Sequence, residues 1–134
     1  MLRKILVIDD EVEVRNTIRL QLKDTNLTVV EAEDGEQAIE RIGAENVLEV
    51  EAIICDVRMP RINGVEAVAF FRRQYPSIPV IVLTGYPDVN LAVEFMKEGV
   101  AEYLVKPVEK EKLIAAVDKA LGQRTLFGGP RPVA

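Results

Sequence analysis

An apolar run, ILVI, stops at three consecutive acids in the opening segment MLRKILVIDDE, placing Asp9, Asp10 and Glu11 side by side. Adjacent carboxylates repel, so a fold that keeps them together needs a compensating positive charge. Three other polar residues stand in the same relation to apolar runs: Asp56 after AIIC, Thr84 after PVIVL, and Lys106, followed by Pro107, after AEYLV. Three carboxylates, a hydroxyl and an ammonium form a coherent set. Neighbouring carboxylates call for a cation, and an all-oxygen donor set with no histidine anywhere in the chain favours Mg²⁺ over softer metals. The missing histidines also exclude Ser-His and Cys-His catalytic pairs.

For these residues to act together, the elements that carry them must end at one place. The runs at 4–8, 27–31, 52–55, 79–83 and 101–105 are rich in Val and Ile, and four are almost continuously apolar, as strands covered on both faces must be. Helix signals lie between them. Asp10 with Glu13 and Asp34 with Gln37 read as capping boxes, and Asp88 after Pro87 reads as an N-cap. In the last helix Leu113, Ala116, Val117, Ala120 and Leu121 recur at helical spacing, Lys110, Lys112, Asp118 and Lys119 face away, and Gly122 marks the end. Strict strand-helix alternation predicts an α/β fold with a parallel sheet covered on both sides. Ligands of such sheets bind beyond the carboxyl ends of the strands, which is where the five polar residues fall. Taken singly each has a plainer reading: Asp10 as a cap, Asp56 and Thr84 as loop residues, Lys106-Pro107 as a solvated turn. Capping does not exclude ligation, and the coincidence of all the positions favours a shared site.

The chain's 134 residues, 49% of them hydrophobic, suffice for one domain with its own core. Seventeen basic against twenty-two acidic residues give a net charge of −5, which argues against nucleic-acid or anionic-membrane binding by this domain. The single cysteine, Cys55, lies in an apolar run and reads as a buried, inert thiol; with no apolar stretch of membrane-spanning length, the expected location is cytoplasmic. Residues 1–122 form the expected domain. The remainder, QRTLFGGPRPVA at 123–134, reads as a flexible tail or the start of a linker.

Through VIDDE at 7–11, DVRMPRINGVE at 56–66, TG at 84–85 and YLVKP at 103–107, residues 3 to 122 resemble the receiver domain of two-component response regulators. The resemblance implies a flavodoxin-like, doubly wound sheet of five parallel strands in the order 2-1-3-4-5 with five helices. It implies that Asp56 accepts a phosphoryl group from a sensor histidine kinase or phosphotransfer protein. Asp9, Asp10, Asp56 and the backbone carbonyl of Arg58 would hold Mg²⁺; Thr84 and Lys106 would bind phosphoryl oxygens. Thr84 and Tyr103 would form the switch, changing the face of helix four, strand five and helix five toward a partner, an output domain or a second copy. A cis Lys106-Pro107 bond belongs to the same expectation. The protein would be a signalling phosphoprotein that assists only its own phosphorylation and dephosphorylation.

Three further readings concern rate, output and alternatives. Arg58 and Tyr86 are expected to stack over the pocket by a cation–π contact that shields the phosphoryl group from water. Val89, Leu91, Ala92, Val93, Phe95 and Met96 exceed what one buried helix stripe requires, so some should be exposed for a partner. A phosphatase of the haloacid dehalogenase type also uses an Asp at a strand end with Mg²⁺, but needs a second Asp two residues on, where Glu11 follows Asp9. An unphosphorylated interaction module is the other alternative.

Overall fold

The computed structural model describes residues 3–44, 49–57 and 64–122. Five strands alternate with five helices: β1 Arg3–Ile8, α1 Val12–Gln21, β2 Leu27–Ala32, α2 Gly35–Ala44, β3 Val50–Cys55, α3 Gly64–Gln74, β4 Val80–Thr84, α4 Val89–Glu98, β5 Glu102–Val105 and α5 Lys110–Gly122. All pairings are parallel, in the order β2-β1-β3-β4-β5. Burial follows that order. Every residue of the central strands β3 and β4 is buried, while the edge strands β2 and β5 are only partly so.

The two-residue period of the strands divides the core into two layers. Leu6, Ile8, Ile53, Cys55, Val80 and Val82 face Ala38 and Ile42 of α2, Ala67, Val68 and Phe71 of α3, and Phe95 of α4. On the other side Ile5, Val7, Ala52, Ile54, Ile81 and Leu83 meet Ile18 of α1 and Leu113, Ala116, Val117 and Ala120 of α5. Both sheet faces are therefore dry. The buried acids Asp9 and Asp56 and the Thr84 hydroxyl fall at the carboxyl ends of the strands.

Two of the expected caps are formed. Asp34 Oδ1 accepts from the Gln37 amide at 2.7 Å while Gln37 Oε1 accepts from the Glu33 amide at 2.7 Å, and Asp88 Oδ1 accepts from the Leu91 amide at 3.1 Å. Asp10 is not a cap, contrary to expectation. Glu11 is the N-cap residue of α1 and makes no side-chain cap bond; Asp9 Oδ1 folds back to take the Glu11 amide at 2.9 Å. The physical reason is burial: Asp9 is 1% exposed and needs a local donor, whereas the exposed Asp10 has water.

Strand β3 begins two residues earlier than its apolar run, so Glu51 lies inside it at 5% exposure, with Arg3 Nε 3.7 Å from its carboxylate. At the far end of the sheet the Arg72 side chain gathers three carbonyls, from Glu98 at 3.2 Å, Pro76 at 3.1 Å and Ile78 at 3.4 Å. Gly99 ends α4 in a left-handed conformation, φ 87°, which a side chain would strain.

Candidate functional site

Pairing continues past the strand ends and sets the stagger of the site. The Asp9 amide donates to the Ala32 carbonyl at 3.0 Å, the Asp56 amide to the Ile8 carbonyl at 2.8 Å, and the Lys106 amide to the Thr84 carbonyl at 2.8 Å. The carboxyl ends of β1, β3, β4 and β5 thus bring the candidate residues to one edge. Asp9 and Asp56 are 1% and 3% exposed, Thr84 is fully buried, and Asp10 is exposed.

One oxygen from each of Asp9, Asp10 and Asp56 lies within 4.8 Å of the others, close enough for the three to share a single ion. Lys106 closes on the same acids. Its Nζ stands 2.7 Å from Asp9 Oδ2, 3.1 Å from Asp56 Oδ2 and 3.5 Å from Glu11 Oε1. Burial works to lower the pKa of the Lys106 ammonium, but the hydrogen bond and charge of Asp9 and the charge of Asp56 outweigh it and hold the pKa above its ordinary value. Asp9 is displaced upward, chiefly by desolvation; the Lys106 and Glu11 hydrogen bonds oppose this and the Asp56 charge adds to it. Cys55 is buried, and desolvation raises its thiol far above the ordinary range, in keeping with an inert side chain.

Thr84 Oγ1 accepts from the Tyr86 amide at 3.0 Å, which leaves its hydroxyl hydrogen available to a ligand oxygen. Tyr103 is half-buried on the same face of the sheet, its ring centroid 6.3 Å from that of Phe95, and its hydroxyl accepts from the Asp88 amide at 3.2 Å. Val89, Val93 and Met96 of α4 are exposed and Phe95 is buried. The Lys106-Pro107 bond is cis. Arg58 lies outside the described residues, with both expectations placed on it, the metal-binding carbonyl and the stack on Tyr86; so does the segment 123–134.

Two participants had no site role assigned from the sequence. Glu11 reaches Lys106, and Arg15 of α1 donates from Nη1 to the Asp9 carbonyl at 2.6 Å. Glu11 was visible as the third acid of the run; Arg15 carried no local signal.

The raised Asp9 pKa has a consequence for stability. An acid whose folded pKa exceeds its unfolded value of 3.8 destabilises the fold above that folded pKa, and the cost is relieved as the pH falls through it. Asp9→Asn is therefore expected to be more stable than the parent at pH 7 without divalent cations, the gap closing as the pH approaches 3.8. Urea midpoints across that range would check it; a gap that widens in acid would contradict the assignment.

The sequence profile described as the Response regulator receiver domain matches residues 5–118. The transcriptional regulatory protein ZraR of Klebsiella oxytoca is 34% identical over 126 residues, 94% of this chain, which spans only 28% of that protein's length. A response regulator receiver domain protein from Clostridium thermocellum superposes with a TM-score of 0.82 at 33% identity, covering 90% of this chain and 94% of that one. A Burkholderia pseudomallei response regulator, solved with a phosphorylated aspartic acid and a calcium ion, does so with a TM-score of 0.77 at 30% identity, over 86% of this chain and 66% of its own. Phosphorylation-activated switching in two-component signalling is the general function of such domains. With the 2-1-3-4-5 sheet, the acidic edge and this match all covering the same residues, the chain belongs to the response regulator receiver domain family.

Proposed function

We propose that Asp56 is the phosphoacceptor. Its carboxylate oxygen attacks the phosphorus of a phosphohistidine on a sensor kinase or phosphotransfer protein, the P–N bond breaks, and the imidazole leaves with a proton. The observation that carries this reading is the setting of Asp56: a carboxylate 3% exposed at a strand end, 3.1 Å from an ammonium and within reach of two further carboxylates. In the Burkholderia pseudomallei relative an aspartic acid is phosphorylated and a calcium ion is present, which agrees with the same chemistry.

Asp9, Asp10 and Asp56, with the Arg58 carbonyl, are the proposed Mg²⁺ ligands, and their hard oxygen donors suit that ion. Bound there, Mg²⁺ supplies positive charge against the anionic donor. The rest falls to the chain's own residues. Lys106 sits where it can pair with a phosphoryl oxygen as a flexible point charge. The Thr84 hydroxyl has a hydrogen to give to another, and dry sheet faces hold both groups in place. The product is an acyl phosphate, which water hydrolyses, so the signal erases itself.

Output follows from the new charge. Thr84 engages the phosphoryl group, and Tyr103, tied to the start of α4 through Asp88, repacks with it. The face of α4, β5 and α5 then changes toward an output domain, a partner protein or a second copy. Val89, Val93 and Met96 supply exposed apolar surface there. We assign the protein to the cytoplasm, acting through protein contact with no nucleic acid or membrane bound by residues 1–122, and regard 123–134 as a tail or linker. No substrate is turned over.

Intact mass after incubation with acetyl phosphate decides the matter. One added phosphoryl group is expected with Mg²⁺, and none without Mg²⁺ or in Asp56→Asn. Retention of the adduct by Asp56→Asn would move the acceptor elsewhere. Repeated hydrolysis of a phosphomonoester without labelling would favour a phosphatase.

A further inference from the structure

Arg15 and Arg19 stand one turn apart on α1 and converge on Glu31 of the edge strand β2. Arg15 Nε meets Glu31 Oε1 at 2.9 Å, and Arg19 Nη2 pairs with Glu31 Oε2. The two arginines differ in what else they touch. Arg19 is half exposed, whereas Arg15 is 14% exposed and extends its other arm to the Asp9 carbonyl at 2.6 Å. Helical side chains lean toward the N-terminus, which lets Arg15 reach back over the first turn to residue 9. The planar guanidinium then serves two acceptors in fixed geometry, which an ammonium could not do.

The bonded carbonyl belongs to the peptide that joins Asp9 to Asp10. That peptide's setting decides where Asp10 begins. Upstream, the Asp9 amide is fixed to Ala32; the Asp9 carboxylate is fixed to the Glu11 amide and Lys106. Arg15 supplies the remaining restraint, and Glu31 keeps Arg15 from swinging away. We infer that Arg15 is a positioning residue for the acidic cation site, presetting Asp9 and Asp10 through the carbonyl between them, with Glu31 as its brace. The inference rests on the Mg²⁺ reading of Asp9, Asp10 and Asp56.

Charge and positioning predict opposite signs. As a nearby cation, Arg15 opposes a second cation, so simple electrostatics makes its removal tighten Mg²⁺ binding. As an outer support of the ligands, its loss should weaken binding by about tenfold. Arg19 is the matched control, since it carries the same charge on the same glutamate without touching Asp9.

The test is Mg²⁺ titration by calorimetry of the full chain and its Arg15→Ala, Arg15→Lys, Arg19→Ala and Asp10→Asn variants, with urea midpoints of each metal-free protein. Arg15→Ala is expected to raise the Mg²⁺ Kd about tenfold. Arg15→Lys, which keeps the charge but not the fork, should raise it less and remains readable should the alanine variant not fold. Arg19→Ala should leave Kd unchanged or lower it, even where its urea midpoint falls as far as that of Arg15→Ala. Parental or tighter Mg²⁺ binding by both Arg15 variants would overturn the inference, as would equal weakening by Arg19→Ala. Tight binding retained by Asp10→Asn would instead bring down the site reading, and the inference with it.

Discussion

Lys106→Met is expected to cost the metal-free protein about 3 kcal/mol at neutral pH, because removing one partner of a buried charge pair strands the other. Methionine keeps most of the stem, so little packing is lost and the effect isolates the charge. Two carboxylates at 1% and 3% exposure would then face each other without the ammonium that stands 2.7 Å and 3.1 Å from them. The dependence on conditions identifies the cause. Asp9 is already displaced upward by burial and would lose the Lys106 hydrogen bond that opposes this, so the deficit should shrink as the pH falls toward 3.8, its ordinary value, and millimolar Mg²⁺ should offset part of it. Urea denaturation of parent and variant, with and without Mg²⁺ at two pH values, would measure all of this. A variant as stable as its parent at pH 7 without Mg²⁺ would mean that Lys106 does not hold the acids together.

The second large effect belongs to packing. Phe71→Ala should cost about 3–5 kcal/mol, the usual range for deleting a buried phenyl ring. Phe71 is fully buried on α3, edge-on to Phe70 with ring centroids 5.4 Å apart, in the layer that also holds Ile53, Val80 and Phe95. The loss would be a large share of the 5–15 kcal/mol that typically stabilises a domain. The same layer backs the strands that end at Asp56 and Thr84, so the variant should also bind Mg²⁺ less well as it nears its unfolding midpoint. Phe71→Leu refills most of the space and should recover most of the stability. A cost below about 1 kcal/mol for the alanine variant would show that the layer collapses around the gap.

Much of the fold was legible because β3 and β4 are buried on both faces, and a strand so placed must read as an unbroken apolar run. Order in the sheet was not written in that pattern; it came with the family resemblance. The site was legible for a related reason. Apolar sheet faces make the carboxyl ends of the central strands the natural place for acids, a hydroxyl and an ammonium to meet, so finding them there one after another carries information.

The failures have equally local causes. Asp9 and Asp10 are chemically identical, and which of them satisfies the Glu11 amide depends on which is buried, a property of the folded sheet. Glu51 broke an apolar run that the strand itself ignores, because Arg3 lies against it. Arg15 gave no signal at all. Its meaning lies in Glu31, sixteen residues away on another element, and in a carbonyl, which every residue has.

The three carbonyls gathered by Arg72 bear on how α4 can move. One of them, from Glu98, is the last residue of the helix, and the other two belong to the connection between α3 and β4. At its other end α4 is held by the Asp88 cap and the bond from the Asp88 amide to the Tyr103 hydroxyl, beside Thr84 and Tyr86, where the proposed signal arrives. The helix has ten residues, about 15 Å in length, with Arg72 bonded at its C-terminal end and the Asp88 cap and the Tyr103 hydroxyl at its N-terminal end. Were the proposed signal to move α4, displacement would grow with distance from the Arg72 contacts, largest at Val89 and smallest at Lys97.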